Sequence, residues 1–286
     1  MMAKAIVLAM LLCCCAAAGA GPFFAMDTIA ARGINADDGA TLETKLDDLK
    51  AMGYAGLSWT GRDVGQIKSV TTAAEKRGLK VYALYVAFPI GPRGVEVPAN
   101  LDEVFDAVAG HETVVWAYVQ GTSIKPSDPA ADAVAIPAFR DVAERAAKRK
   151  VRVALYPHAG FWVQTVGDGL RVAKGVDREN FGICFNLCHA LKTGDEKKIR
   201  DLLREAGPRL FLVTINGADA GLGAKGDWDR LIQPLGRGTY DVGTLLRRLK
   251  EIGYEGPIGF QGYGIKGDRR AILRETMEGW KRVEPK

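Results

Sequence analysis

Apolar positions along the chain follow two spacings that alternate from one end to the other. Short runs of aliphatic, β-branched and aromatic residues, such as 80–86, are typical of buried strands. Between them lie longer segments, such as 136–148, in which apolar residues recur at every third or fourth position, as on one face of a helix. The two patterns alternate about eight times, which predicts βαβ units with parallel strands.

This alternation predicts an α/β fold, the (β/α)8 TIM barrel, as a single domain over residues 21–286. Eight units in a chain of 286 residues favour a closed barrel over an open doubly wound sheet. No Gly-x-Gly-x-x-Gly motif follows the first strand, which also argues against a dinucleotide-binding fold. The predicted strands are 22–27, 56–59, 80–86, 113–120, 151–158, 181–187, 209–216 and 257–261.

The ends of the predicted strands carry polar residues. In such a barrel the loops after the strands form the site, so these ends are the positions to inspect. Because side chains alternate along a strand, Gly182, Cys184 and Asn186 share one face of the sixth strand, and His189 follows at the turn. The polar residues expected at the barrel mouth are Gln120, Tyr156, His158, Asn186, His189, Thr214, Asn216 and Gln261. The predicted mouth is therefore polar but almost uncharged.

Several strand-end motifs resemble those of the xylose isomerase-like TIM barrel family, which includes sugar isomerases and epimerases and the endonuclease IV type of AP endonuclease. The resemblance is strongest from residue 151 onwards. The motifs are 156–158 (YPH), 186–189 (NLCH), 216–219 (NGAD), 234–241 (PLGRGTYD) and 253–261 (GYEGPIGFQ). The resemblance implies a barrel that acts on a carbohydrate.

The resemblance also implies a divalent metal held by carboxylates, and here the sequence departs from the family pattern. Tyr156, Asn186 and Gln261 stand where the family has Glu, Asp and Glu, and either Thr214 or Asn216 occupies the metal position of the seventh strand. Amides keep the shape of a carboxylate but remove its charge, and cations of this class need both. We therefore expect no functional metal, although a weak Zn or Mn site through the two persisting histidines remains open.

Neutral strand-end side chains suit a neutral polyhydroxylated ligand. Asn and Gln donate and accept hydrogen bonds at once, as sugar hydroxyls require. We predict a small-molecule carbohydrate as the partner, with Trp116 or Trp162 as aromatic neighbours. The predicted substrate-binding residues are Asn186, Asn216, Gln261, Gln120, Thr214 and Trp162. The alternative is that these residues fill the top of the barrel and satisfy one another.

Two histidines are expected at the same rim. An imidazole titrates near neutral pH, so His158 and His189 are the candidate general acid and base, and Tyr156 is a candidate proton donor that could instead only pack. His111 lies before the fourth strand, at the opposite end of the barrel, and no role is assigned to it.

The N-terminus has the features of a secretory signal. Residues 1–20 hold Lys4, an apolar run and a small-residue finish, which predicts a signal peptide cleaved near Ala20. The mature protein is then exported, periplasmic or extracellular, with no stable membrane association. A lipoprotein anchor at Cys13, Cys14 or Cys15 is the alternative, but the preceding Leu-Leu-Cys-Cys run lacks the small residues that usually come before such a cysteine.

The remaining composition excludes few classes of function. Four residues of strand and turn place Cys184 and Cys188 farther apart than a disulfide can bridge unless the chain folds back sharply, so both are expected to be small buried residues. The formal net charge is +5, and basic residues are spread along helices, which favours solvated surfaces over a nucleic-acid interface. No nucleic-acid partner is therefore expected. An AP endonuclease is the least favoured function, because the signal segment places the protein away from DNA and the metal-binding carboxylates are replaced.

Three hypotheses follow for function. The first is an exported barrel of the sugar isomerase or epimerase type that moves a proton on a sugar or keto-sugar without a tightly held metal. The second is a sugar-binding protein that has lost catalysis. The third is a metal-dependent isomerase or epimerase with an unusual ligand set.

Overall fold

The computed structural model describes residues 21–31 and 38–285. Its centre is a closed barrel of eight parallel strands in sequential order, which confirms the predicted (β/α)8 fold. The predicted signal peptide, residues 1–20, lies outside the described residues. The strands are β1 (Phe23–Ala25), β2 (Gly56–Thr60), β3 (Lys80–Ala87), β4 (Val114–Tyr118), β5 (Arg152–Leu155), β6 (Phe181–Asn186), β7 (Leu210–Ile215) and β8 (Ile258–Phe260).

Helices surround the barrel, and side-chain caps mark where many of them begin. Thr41, Asp63, Thr165, Asp241 and Asp268 each accept a hydrogen bond from a backbone N–H in the first turn of the following helix. The helices are α1 (Asp27–Ala30), α2 (Leu42–Met52), α3 (Val64–Glu75), α4 (Leu101–Val108), α5 (Asp132–Ala147), α6 (Val166–Val176), α7 (Leu187–Lys192), α8 (Ile199–Ala206), α9 (Trp228–Leu231), α10 (Val242–Glu251) and α11 (Arg269–Val283).

Some local elements differ from the sequence prediction. Helix α5 begins at Asp132 rather than at residue 136, so that Pro137 lies inside it. Three short helices, α1, α7 and α9, and a two-stranded hairpin formed by Ile90–Gly91 and Gly94–Val95 were not predicted, because they are too short to produce a periodic pattern. In the described part of the chain, no helix has the length and apolar character needed to cross a membrane.

The core has two layers, as strand alternation predicts. One hydrophobic cluster fills the barrel interior and includes Trp116, Ala154 and Tyr156. A larger cluster lies between the strands and the helices and includes Ile183 and Phe185 of β6. Successive strand residues therefore face opposite layers, and the inward set of each strand leads to the barrel mouth.

Glycine is required where large side chains fill the narrow interior. A Cβ at Gly259 would lie 2.4 Å from the ring of Phe24, and one at Gly182 would lie 2.3 Å from the carbonyl oxygen of Arg209.

The two cysteines of the described residues, Cys184 and Cys188, are buried free thiols, and burial raises the pKa of each. Cys184 lies on the same face of β6 as Gly182. The interior is a packed core, and open space begins only above it.

Candidate active site

A cavity of about 510 Å³ opens at the C-terminal ends of the strands. It lies above the interior cluster, where the loops after β1, β5, β6, β7 and β8 meet. Its floor and walls include Tyr156, His158, His189 and Gln261, which were all predicted as site residues. The volume matches that of a site for a small organic ligand.

His158 and His189 lie against each other in this cavity. Their ring centroids are 4.0 Å apart, with the planes tilted by 42°. Phe161 stacks on the other side of His158 with ring centroids 3.9 Å apart, and Trp228 meets His189 edge-on at 5.4 Å. His189 reaches this position because Asn186 ends β6 and accepts a hydrogen bond from the His189 backbone N–H, which starts α7.

The backbone of Ala159 fixes the tautomer of both rings. The Nδ1 of His158 lies 3.0 Å from the carbonyl oxygen of Ala159, which can only accept, so this nitrogen carries a hydrogen. The N–H of Ala159 donates to Nδ1 of His189 at 3.3 Å, so the hydrogen of the neutral ring is on Nε2. In the neutral state His158 therefore offers a lone pair at Nε2, and His189 offers an N–H there.

Both histidines are held neutral by their surroundings. Burial lowers the pKa of His158 below the usual value for histidine, because a charged ring loses solvation there. Burial lowers the pKa of His189 much further, and the neighbouring His158 adds to this effect. The pair is therefore one acceptor and one donor at neutral pH.

Tyr156 forms a buried network with the two strand-end amides. The Nδ2 group of Asn186 donates to the Tyr156 hydroxyl at 2.5 Å, and Nε2 of Gln261 donates to it at 3.4 Å. Burial raises the pKa of Tyr156 well above its usual range, so the phenol keeps its hydrogen. The three residues thus stand where the resemblance placed metal-binding carboxylates, and they bond to one another.

Backbone donors fix the orientation of both amides. The N–H of His189 donates to Oδ1 of Asn186 at 3.5 Å, and the N–H of Tyr263 donates to Oε1 of Gln261 at 3.3 Å. Each amide therefore turns its NH₂ group to the phenol, whose oxygen is used as an acceptor. Among the described residues no protein acceptor takes the hydrogen of the Tyr156 hydroxyl, and Tyr156 lines the cavity. The phenol is a hydrogen-bond donor available to a bound molecule.

Residues 46–283 match the family described as the xylose isomerase-like TIM barrel. The chain belongs to this family. The match covers most of the barrel and confirms the resemblance inferred from the strand-end motifs.

Proteins similar to this member of the xylose isomerase-like family include one curated relative and many solved structures. The uncharacterized protein MJ1311 of Methanocaldococcus jannaschii is 27% identical over 111 residues, which are 38% of this chain and only 36% of that protein. The structure of 3-keto-D-glucoside 4-epimerase YcjR from E. coli has a TM-score of 0.70 at 18% identity, over 92% of this chain and 99% of that one. The IOLI protein with a bound zinc atom has a TM-score of 0.68 at 16% identity, over 92% and 96%. At these identities the structural likeness concerns the fold.

The side chains present do not fit the divalent ion that the resemblance implies. Within the described ranges, no group of three His, Cys, Asp or Glu side chains is placed to hold a metal. His158 could supply its Nε2 lone pair, because a bond from Nδ1 to a backbone carbonyl is usual for a metal-binding histidine, but Nε2 of His189 carries a hydrogen and its Nδ1 already accepts from Ala159. The oxygens at the positions that the resemblance assigns to carboxylates belong to a neutral phenol and two amides that bond to one another, and the carboxylates that line the cavity, Asp27 and Asp229, do not form a metal-binding group with the two histidines.

The sequence reasoning missed Asp27, one of the two carboxylates that line the cavity. Asp27 follows β1, is 3% exposed and lines the cavity, and Asp229 lines it from the long loop after β7. Asp27 was read as the end of an apolar strand, although its place at a strand end was itself a signal. Tyr85, Trp228 and Tyr263, which add aromatic walls, were missed too.

Five predicted substrate-binding residues do not line the cavity. Asn186 lies behind Tyr156, and Thr214 is buried within the barrel with no partner for its hydroxyl among the described residues. Asn216 donates to the carbonyls of Gly217 and Leu231 and so holds the loop after β7. Trp162 is buried and donates to the carbonyl of Asp128, and Gln120 is exposed on the surface.

Proposed function

We propose that the protein is an exported enzyme that moves a proton beside the carbonyl group of a sugar or keto-sugar, as in sugar isomerisation or epimerisation, without a divalent metal. The observation that carries this proposal is the pair of histidines whose neutral tautomers are fixed as one acceptor and one donor. Family membership supports the reaction class, and one structural neighbour is titled a 3-keto-D-glucoside 4-epimerase.

His158 is the base in this proposal. Its Nε2 lone pair takes the proton from the carbon next to the substrate carbonyl, and the ring becomes positively charged for as long as it holds that proton. A lowered pKa keeps the ring neutral and ready to accept at physiological pH. If His158 gives the proton to the former carbonyl carbon, and the hydrogen of the neighbouring hydroxyl passes to the former carbonyl oxygen, the product is an isomer. An epimer forms instead if the original carbon receives a proton from the opposite face.

Tyr156 and His189 stabilise the oxygen that becomes negative when the proton leaves. The phenolic hydrogen of Tyr156 and the Nε2–H of His189 are both donors at the cavity, and the two rings are 5.9 Å apart between centroids. Donors that are already oriented need no reorganisation as charge develops on the substrate oxygen. In this proposal the two neutral donors stabilise the negative charge on the substrate oxygen, as a bound cation does in a metal-dependent enzyme.

The test measures how fast the parent and the histidine variants exchange the substrate hydrogen beside the carbonyl group for deuterium from the solvent. The protein is incubated with D-fructose, D-psicose and other ketoses in D₂O with EDTA, and deuterium at the carbon next to the carbonyl is followed by NMR. His158→Gln should lower the exchange rate by about 10²–10⁴-fold, the usual range for losing a general base. His111→Gln is the matched control, because His111 pairs with the exposed Glu75 at the other end of the barrel and should leave the rate unchanged.

Two results would contradict the proposal. Exchange that is lost on adding EDTA and restored by Mn²⁺ or Zn²⁺ would support a metal-dependent enzyme instead. Binding of a sugar with no exchange at any pH would favour a sugar-binding protein, an alternative supported by the exposed aromatic rings of Trp228 (41%) and Tyr263 (53%) at the cavity mouth.

A further inference from the structure

Large exposed apolar side chains are concentrated at the mouth of the cavity. Three of the described residues are of this kind: Val134 (37% exposed), Trp228 (41%) and Tyr263 (53%). Trp228 and Tyr263 line the cavity, whereas Val134 lies on helix α5 and does not. Exposed aromatic rings that border a cavity are typical of a surface that a ligand covers.

The two rings stand on adjacent loops of the barrel. Trp228 begins α9 in the loop after β7, and Tyr263 follows the end of β8. Strands β7 and β8 pair directly, so the loops that follow them lie side by side. Trp228 and Tyr263 therefore form one aromatic rim on one side of the mouth.

Trp228 is anchored by contacts that leave much of it exposed. It meets the ring of His189 edge-on, and the ammonium group of Lys192 lies 5.4 Å from its centroid. Lys192 is itself fixed, because it donates to the carbonyls of Ala224 and Gly226 in the same loop. A ring that is already held in place loses little side-chain entropy when a ligand stacks on it.

Tyr263 is held by its backbone. Its N–H donates to Oε1 of Gln261, and its side chain has no hydrogen bond or ring contact among the described residues. Both the ring and its hydroxyl are therefore accessible at the cavity. An exposed aromatic side chain of this kind gains from being covered by a ligand that offers an apolar face and a polar edge.

The floor of the cavity and its aromatic rim offer different chemistry. Tyr156 and His189, which face the reacting carbonyl in the proposed reaction, are 2% and 5% exposed, so the reacting ring lies deep. The rim stands outside it. The cavity volume of about 510 Å³ falls within the range of sites for drug-sized ligands, roughly 300–1,000 Å³, and a disaccharide is of that size.

We propose that the substrate carries a second sugar ring, which stacks on Trp228 and Tyr263 while the first ring lies over the histidines. A sugar ring has an apolar face of C–H groups and an edge of hydroxyls. The aromatic rim fits the face, and the exposed carboxylate of Asp229 and the Tyr263 hydroxyl fit the edge. An aromatic substituent in place of the second sugar would leave both polar groups unused.

The proposal deepens the proposed function, on which it rests for the reacting sugar, and its test does not use turnover. Calorimetry compares D-fructose with isomaltulose, turanose and lactulose, and D-glucose with maltose, cellobiose and phenyl β-D-glucoside. At least one disaccharide should bind about tenfold or more tightly than its monosaccharide, which is the effect of roughly one aromatic stacking contact.

Two variants assign this gain to the rim. Tyr263→Ala removes an exposed ring and keeps the backbone N–H that orients Gln261, so it should fold normally. It should weaken binding of the preferred disaccharide by about tenfold and that of the monosaccharide much less. Trp228→Ala should do the same, and Trp228→Phe, which keeps a flat ring, should retain most of the preference. Val134→Ala is the matched control: it trims the exposed apolar side chain outside the cavity and should change neither affinity.

Each outcome decides for or against the second sugar ring. The proposal is overturned if no disaccharide binds more tightly than its monosaccharide, or if the preference is unchanged in both alanine variants. Tighter binding of phenyl β-D-glucoside than of every disaccharide overturns it in favour of an aromatic substituent. A disaccharide preference that depends on the rim but comes without deuterium exchange leaves this proposal standing and contradicts the proposed catalysis. Exchange on monosaccharides without any disaccharide preference does the reverse.

Discussion

At the scale of single residues, Tyr156 decides how the site differs from a metal centre. Its oxygen accepts two amide hydrogens, and those amides are oriented by backbone N–H groups, so the phenolic hydrogen is left for the cavity. Both amides were predicted to bind sugar directly, but in the structure each donates a hydrogen bond to the Tyr156 hydroxyl. Only Gln261 also lines the cavity.

Removing this hydroxyl should damage turnover more than folding. Tyr156→Phe should lower the rate of deuterium exchange by about 10²–10³-fold, the usual loss for one donor to a developing oxyanion, with a smaller effect on KM. It should also cost about 1–3 kcal/mol of stability, because two buried NH₂ groups lose their acceptor. Steady-state kinetics and urea unfolding measure the two effects.

The control for this variant is Tyr118→Phe, which makes the same chemical change on a barrel tyrosine that stacks on Tyr85 and does not line the cavity. It should leave both the rate and the stability near those of the parent. A fully active Tyr156→Phe protein would show that the phenol only packs.

At the scale of strands and loops, the sequence predicted correctly which face of a strand each side chain lies on. It predicted poorly which residues the side chains at the strand ends contact. Alternation depends on the backbone alone, so the inward faces of β5, β6 and β7 followed from residue spacing. The end of a strand is different, because the loop after it decides where the last side chain goes. Asn216 bonds to Leu231, fifteen residues away, and no local pattern contains that contact.

The same reasoning explains why Asp27 and Trp228 were missed. Asp27 closes a short, wholly apolar strand, and its neighbour Ser58 comes from the next strand. Trp228 and Asp229 lie in the loop after β7, whose path depends on contacts with β7 and α11, such as the bond from the N–H of Leu235 to the hydroxyl of Thr276. Such positions follow from tertiary contacts and not from periodicity.

Asn216 should therefore behave as a structural residue of this loop. Asn216→Ala removes hydrogen bonds to two buried carbonyl groups and should cost about 2–4 kcal/mol of stability. It should also weaken sugar binding, since the loop carries Trp228 and Asp229 to the cavity. Gln120→Ala, at another predicted site position that is exposed, should change neither quantity. Urea unfolding measures the loss of stability, and calorimetry measures the loss of sugar affinity. A variant that keeps its stability but binds sugar less tightly would show instead that Asn216 contacts the ligand.

At the scale of the whole molecule, the two histidines of the site should make the free energy of unfolding depend on pH. Both have a pKa lowered by burial, whereas in the unfolded chain they titrate at about 6.5. Below that pH the unfolded state binds protons that the folded state resists, so the free energy of unfolding falls as pH falls. Above it both states are neutral and the effect vanishes.

We expect the stability of the parent to be constant from pH 7 to 8 and to decrease between pH 7 and 5.5. Buried acids such as Asp168, whose pKa is lowered by Ser127 and Arg171 against the opposing effect of burial, lose their contribution only at lower pH, so this window isolates the histidines. In the double variant His158→Gln, His189→Gln the decrease should largely disappear. Urea unfolding at four pH values measures it, with pH 8 as the reference for packing changes, because there the parent rings are neutral in both states. A parent whose stability is flat down to pH 5.5 would mean that the rings accept protons freely in the folded protein, and would remove the basis for a neutral donor and acceptor pair at the site.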